Sequence, residues 1–400
     1  MRKLVYLEGL RGIAALIVVF SHFVQFYYPR LLFSNDELAH NNFERWLSET
    51  PINLLYNGNL AVCIFFVLSG YVLSLKYLMK KDINILIETA TKRYFRLAIP
   101  ISFSILLGYV VAYFGLIYYG NITEITNGEM SKNYELNHNF FGLLKLMTFD
   151  VFYYGVSSYN PALWTMKIEL VGSFVVFLLL PLIAIKKKIG FQIVIFIIIS
   201  IITIRLGDIY YFSFVAGMIL CDLKQRDSVL FKINKILKFP LLVLGIYLAS
   251  FPYVIVDNTI YQYLNVKIFD LNPFILSHCI GAILILIVLL NSTSLQKVFS
   301  SKAFEYLGKI SFSVYLTHFV VLFSFTAFSL EVLVKAGLSY NFSFIISFVL
   351  SMIIILILSH YMQKYVDTFS IKLSKKIYTS FKRIFNKNTI NLNSNDKISS

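Results

Sequence analysis

The sequence is poor in charge. Of its 400 residues, 14% are Asp, Glu, Lys or Arg, where a soluble domain carries roughly a quarter, so most of the chain cannot form a soluble surface. Cysteine is scarce as well. Cys63, Cys221 and Cys279 lie far apart, mostly inside apolar runs, with no CxxC pair and no histidine at metal-ligand spacing. That pattern excludes a disulfide scaffold and a zinc site and leaves three packing residues. A Walker loop, a dinucleotide fingerprint and a Gly-x-Ser-x-Gly elbow are all missing, which argues against the chemistries those loops serve. No internal repeat is visible. Met1-Arg2-Lys3 precedes an apolar run, yet no small-x-small cleavage pattern follows, so the first helix is expected to be retained.

What the chain has in abundance is apolar length. Hydrophobic residues make up 58% and aromatics 17%, with runs of roughly twenty residues recurring end to end, each long enough for a bilayer core of about 30 Å. The windows near 10–28, 58–78, 97–118, 163–185, 190–206, 208–222, 239–256, 272–291, 310–334 and 341–363 predict about ten transmembrane helices in an all-α, polytopic membrane protein. The net charge of +15 is distributed by side. With a cytoplasmic N-terminus, the inner segments hold Arg2, Lys3, Arg11, Lys76 through Arg96, Lys186 to Lys188, Lys224 through Lys238, Lys297 through Lys309 and a Lys-rich tail, most of the 36 basic residues. Positive charge of this kind collects on the cytoplasmic side of membranes, so both termini are expected inside and no nucleic-acid partner is implied. The long loops near 29–57 and 119–162 then face outward, the second with a semi-apolar stretch, Phe140–Tyr154, of re-entrant character. Residues 1–366 read as one transmembrane domain. Residues 367–400 read as a basic surface helix that becomes disordered in its Asn/Ser-rich end, with no soluble catalytic domain appended.

Ionisable side chains inside lipid-spanning segments are costly, so each is a functional candidate. Arg11 and His22 are eleven steps apart; at about 100° per step this is nearly three whole turns, placing both on one helix face about 16 Å apart along the axis. Glu8 lies one turn before Arg11 and is placed to orient it. The competing readings are a membrane anchor for Arg11 and an interhelical hydrogen bond for His22. Thr165, Glu169 and Ser173 recur every four residues as a polar stripe next to Trp164, and Glu169 needs a cation or donor from another helix; Lys167 points elsewhere. Trp164 reads equally as an interface anchor. Ser311, Tyr315 and His318 share a face at i, i+4 and i+7, which interhelical bonding explains as well as catalysis does. Arg93 and Arg96 at the inner end of the third span suit phosphate, which guanidinium binds bidentately, or a simple anchor. His40, His138 and His360 receive no role, and His278 sits in a span without an evident companion.

These motifs, in this order, resemble the type-three acyltransferase family of polytopic membrane proteins. Glu8-Gly-Leu-Arg11-Gly with His22 resembles its opening signature, Phe65-Phe-Val-Leu-Ser69-Gly70-Tyr71 its second-helix signature, and Lys92-Arg93-Tyr-Phe-Arg96 with Pro100 the start of its third helix. Leu163-Trp164-Thr165 with Glu169, and Ser311-Phe-Ser-Val-Tyr315-Leu-Thr-His318, resemble its central and late motifs. Two departures stand out: Glu8 replaces a common Asp, and Leu170 replaces a second acidic residue, leaving Glu169 alone.

The resemblance implies a multi-pass protein of the cell inner (cytoplasmic) membrane that performs O-acetylation in the cell envelope. The acyl donor is acetyl-CoA, with no permanently bound cofactor and no metal. The acceptor is a surface polysaccharide or an undecaprenyl-linked oligosaccharide. It implies that Arg11 and His22 are essential, with Glu169 as a third catalytic residue holding His22 or meeting the acceptor. Arg93 and Arg96 are expected to bind CoA, and Glu8, Ser69, Trp164, Thr165, Tyr315 and His318 to support substrate or structure. Lacking a fused extracytoplasmic transferase domain, the chain is expected to finish the transfer itself or to hand the acyl group to a separate extracytoplasmic partner. Two alternatives remain at this point: a glycan or lipid transporter or flippase, which would show repeat symmetry and broken helices, and an acyltransferase acting on a small molecule or a lipid.

Overall fold

A computed structural model describes residues 4–395 except 34, 129–138, 157, 186–188, 206–207, 227–230, 254–256, 258 and 266–270. Among the basic residues and histidines discussed above, Arg2, Lys3, His138 and Lys186 to Lys188 lie outside the described residues, as do the last five residues of the tail.

All regular structure among the described residues is helical. Each of the ten apolar windows folds as a helix: α1 Val5–Tyr27, α2 Gly58–Lys80, α3 Ile83–Tyr113, α4 Thr165–Ile185, α5 Ile189–Arg205, α6 Tyr210–Gln225, α7 Lys235–Ala249, α8 Pro273–Asn291, α9 Lys302–Lys335 and α10 Tyr340–Met362. The helices α1, α2, α3, α4, α8, α9 and α10 are long and apolar enough to cross a bilayer. Among the described residues, those called α5, α6 and α7 have 17, 16 and 15 residues, below the roughly twenty that a perpendicular crossing takes. Large apolar side chains such as Leu178, Ile193, Ile353 and Ile357 are exposed on the outside of the bundle, an arrangement that lipid solvates and water does not. The protein is therefore a multi-pass membrane protein. The tail continues as α11, Thr368–Asn395, so helix extends well into the Asn/Ser-rich stretch that composition reads as disordered.

At the centre, α1 packs mainly on α9 and α2, while α2 packs mainly on α6 and also touches α8 and α4. The α1–α9 contact is made at backbone level. A Cβ added to Gly308 would stand 2.2 Å from the Glu8 carbonyl oxygen, and one added to Gly12 would stand 2.6 Å from the Gly308 nitrogen. Between helices in lipid, where no hydrophobic effect drives association, small residues of this kind allow the close packing and polar contacts that hold a bundle together.

Two irregular segments complete the core. The stretch around Phe140–Tyr153 folds back on α3, with the Tyr94 hydroxyl donating to the Thr148 carbonyl at 2.7 Å. A 3-10 turn, Pro161–Trp164, then wedges between α3 and α9: Asn160 donates to Ser104 Oγ at 2.7 Å and to the Leu316 carbonyl at 2.9 Å. The first long loop is a folded cap rather than a tether. Buried Arg30 donates to Asp36 at 2.5 Å and holds that carboxyl below its usual range. Glu44 accepts from the backbone N–H groups of His40 and Asn41, while burial pushes its carboxyl up. The His40 ring stacks on Tyr340 at 3.9 Å, tying the cap to α10.

If the backbone contact of α1 with α9 governs the fold, Gly308→Ala lowers the thermal unfolding midpoint in detergent, although helix propensity alone would favour alanine by about 1 kcal/mol. Overpacking of a close-packed site costs about 1–3 kcal/mol. A raised midpoint would mean that the two helices do not approach this closely.

Candidate active site

A cavity of ≈190 Å³ opens between α1, α2, α3, α4 and α9. Its wall carries four cations, Arg11, Arg93, Arg96 and Lys309, with two carboxylates, Glu169 and Asp367. The sequence had singled out three of the cations separately, and the bundle brings them together. Lys309 was read only as part of a basic flank; its place in the wall follows from Gly308 seating α9 on α1. Asp367 ends a π-turn, Gln363–Asp367, a local widening of the helix that is common at functional sites and that no composition signal announces.

Glu169 finds its partners on two other helices. The Arg93 guanidinium donates to Glu169 Oε1, Ser69 Oγ donates to the same oxygen at 2.7 Å, and Arg93 Nε donates to Ser173 Oγ at 2.8 Å. Both charged side chains are largely buried, at 14% and 13% exposure. The stripe read from the sequence is thus one continuous polar edge, since Thr165 shares a 2.6 Å hydrogen bond with Tyr315. Tyr315 in turn donates to the Ala162 carbonyl at 2.5 Å. Trp164 stands apart from this edge, partly exposed beside Tyr210.

The group that meets His22 is His318. His22 Nδ1 and His318 Nε2 are 2.9 Å apart, with the rings nearly parallel at 5.0 Å. His318 Nδ1 lies 3.0 Å from the Val314 carbonyl. A carbonyl only accepts, so His318 Nδ1 carries the proton and its Nε2 accepts from His22 Nδ1–H. That chain of bonds leaves Nε2 of His22 as the basic nitrogen. Phe319, at 4.3 Å, and Phe26 flank the His22 ring, giving it an apolar wall on that side. Ser311 and Tyr315 line the cavity below, and His318 stands about 10 Å above Ser311 on the same face of α9. The sequence reading offered Glu169 as the residue holding His22. In the structure Glu169 is engaged with Arg93 and Ser69, and the backbone at Glu8 packs at the α1–α9 crossing.

His278, left without a companion by the sequence, is fully buried. It donates from Nε2 to the Phe251 carbonyl at 2.8 Å and accepts from Asn59 at 2.8 Å. Those partners come from the start of α2 and from the segment after α7, too far apart in sequence for spacing to reveal.

A family model described as an acyltransferase domain matches residues 4–360. The chain is similar to acyltransferase R4 of a Phoma species, with 25% identity covering 80% of this chain and 83% of the relative. It is also similar to acyltransferase clz18 of Cochliobolus lunatus, with 23% identity and the same coverage. No solved structure matches it significantly.

Breaking a buried ion pair leaves an uncompensated charge and typically costs about 3–5 kcal/mol. Glu169→Ala is therefore expected to destabilise the protein by about 3 kcal/mol. The double change Glu169→Ala with Arg93→Met is expected to recover most of that loss, as read in a double-mutant cycle of unfolding midpoints. Additive losses in the double variant would show that the two side chains are not paired.

Proposed function

The chain belongs to the type-three acyltransferase family and is an acyltransferase enzyme, and on that premise we propose that it transfers an acetyl group from acetyl-CoA to a hydroxyl of a cell-surface or lipid-linked glycan at the cytoplasmic membrane. The observation that carries this reading is the cavity of Arg11, Arg93, Arg96 and Lys309 beneath the His22–His318 pair. Acetyl-CoA is a polyanion with a long neutral arm. Its phosphates suit the clustered cations, and its thioester, carried up the α1–α9 face, comes to the histidines. The basic flanks of the helices support a cytoplasmic position for this cavity, on the side where acetyl-CoA is made.

His22 Nε2 takes the proton of the acceptor hydroxyl as its oxygen attacks the thioester carbonyl. A C–O bond forms and the C–S bond breaks as the tetrahedral intermediate collapses. The imidazolium returns its proton to the departing thiolate. His318 is a positioning residue: it fixes the tautomer that presents Nε2 and shares the charge on His22. Glu169 compensates the charge of Arg93 until phosphate arrives, and Tyr315 with Thr165 lines the upper wall of the cavity along which the thioester passes. This reading requires no residue from an extracytoplasmic partner.

Acetyl-CoA consumption by purified protein in nanodiscs tests the reading. A general base contributes roughly 10²–10⁴-fold, so His22→Ala should lower the transfer rate at least about 100-fold while retaining acetyl-CoA binding. Arg11→Ala should instead raise the KM for acetyl-CoA. Native protein that neither binds nor consumes acetyl-CoA would exclude this donor.

A further inference from the structure

A second cavity, of ≈250 Å³, lies toward the C-terminal end of α1. Its position and its chemistry both contrast with those of the first. Ser21 and Gln25 line it, the residue before His22 and the residue one turn after it, so it borders the turn of α1 that bears the histidine. Arg11 and the other cations lie toward the opposite end of the helix. Among the described residues no charged side chain lines the second cavity; its polar groups are the amides of Gln25, Asn53, Asn57 and Asn59, with Ser21, Tyr56 and Tyr253.

Two of these residues hold polar atoms with no hydrogen-bond partner, Asn53 Oδ1 and the Tyr56 hydroxyl. Both residues are more than nine-tenths buried, at 2% and 8% exposure. Burying such groups without a partner is costly, so a ligand that supplies one here gains by it. Asn53 is locked by its other end, with Nδ2 donating to the Ser250 carbonyl at 2.7 Å and to the Ser48 carbonyl at 3.2 Å. Its amide cannot turn to satisfy Oδ1 without giving up those bonds. The neighbouring wall is also fixed. Asn57 Nδ2 donates to the Phe251 carbonyl, and Asn59 is held between His278 and the Tyr210 hydroxyl.

The mouth is aromatic. Phe33 meets Tyr253 edge-on at 6.3 Å, and Tyr253 meets Phe274 edge-on at 5.2 Å. Phe33 and Tyr253 are exposed, at 39% and 61%. Neutral amides facing an aromatic rim form a surface for a ligand with many hydroxyls and an apolar C–H face, which describes a sugar ring. It is a poor surface for an anion.

Resting on the acetyl-transfer reading above, we propose that this cavity is the acceptor site. It binds a neutral sugar unit whose hydroxyls pair with Asn53 Oδ1 and the Tyr56 hydroxyl, and it delivers one hydroxyl toward His22 from the end of the bundle opposite to the donor. The sugar enters by packing its C–H face on the Phe33–Tyr253 rim.

The test uses Tyr56→Phe and Gln25→Ala in full-length protein in nanodiscs, with a panel of neutral methyl glycosides as probes. Tyr56→Phe deletes one unpartnered hydroxyl, so its unfolding midpoint without ligand should equal or exceed the native value. Methyl glycosides should raise the midpoint of native protein and do so less in both variants. In the acetyl-transfer assay, the KM for the accepted glycoside should rise roughly two- to tenfold in Tyr56→Phe, as expected for one lost neutral hydrogen bond. Native KM and native midpoint shifts in both variants would overturn the proposal, and so would native protein that responds to no glycoside while consuming acetyl-CoA. Failure to bind or consume acetyl-CoA would count against the donor reading instead, and the midpoint shifts would still decide the sugar site.

Discussion

The backbone contact between α1 and α9 is the constraint on which the rest depends. Gly12 and Gly308 face each other with no side chain between them, and the Glu8 carbonyl sits where a Gly308 side chain would go. Two helices that close cannot slide past one another without lifting a carbonyl into a Cα. The heights of Arg11 against Ser311 and of His22 against His318 are therefore fixed together, and a 2.9 Å bond between imidazoles 296 residues apart in sequence becomes possible. The same contact keeps Tyr315 in the upper wall of the cation cavity, so one packing decision sets the binding end and the histidine end at once.

Charge in the middle of a membrane protein must be compensated locally. Arg93 and Glu169 do this through a pair reinforced by Ser69 and Ser173. Replacing such a pair with apolar side chains often costs nothing or even stabilises, so stability alone is a weak reason to keep it. A cavity whose wall holds four cations against two carboxylates has an excess positive charge that suits a polyanion. The two carboxylates offset part of the repulsion among these cations, and on the proposed reading a phosphate of the donor would compete for the same hydrogen-bond donors.

Local geometry was legible in the sequence, and long-range pairing was not. The shared face of Arg11 and His22 follows from helical periodicity, as do the Thr165–Glu169–Ser173 stripe and the Ser311–Tyr315–His318 face; all three survive in the structure. Glu169's need for a partner was legible too, because a bare carboxylate among apolar residues is unstable. The identity of that partner depended on how α3 crosses α4, which no spacing within either helix encodes. The same holds for His318 as the companion of His22, for Asn59 as the companion of His278, and for Lys309, whose membership in a basic flank concealed its place in the cavity wall. Each of the ten hydropathy windows holds a helix, but only seven of those described are long and apolar enough to cross a bilayer; hydropathy could not separate α5, α6 and α7 from the longer spans, since it measures apolarity and gives length only to within several residues.

The two cavities differ in the property that matters most for sorting substrates. One is lined by cations, the other by neutral amides, and His22 sits on the turn of α1 whose Ser21 and Gln25 line the second, about 16 Å along the helix from Arg11 in the first. A polyanionic thioester gains its binding energy only at the charged end, and a neutral sugar gains nothing there that water does not already offer. On the proposed reading, each substrate has one productive approach, and the two meet only at a base flanked by Phe26 and Phe319. That arrangement favours direct attack over storage of the acyl group on the protein, because donor and acceptor arrive on opposite sides of one imidazole and neither has to leave for the other to bind.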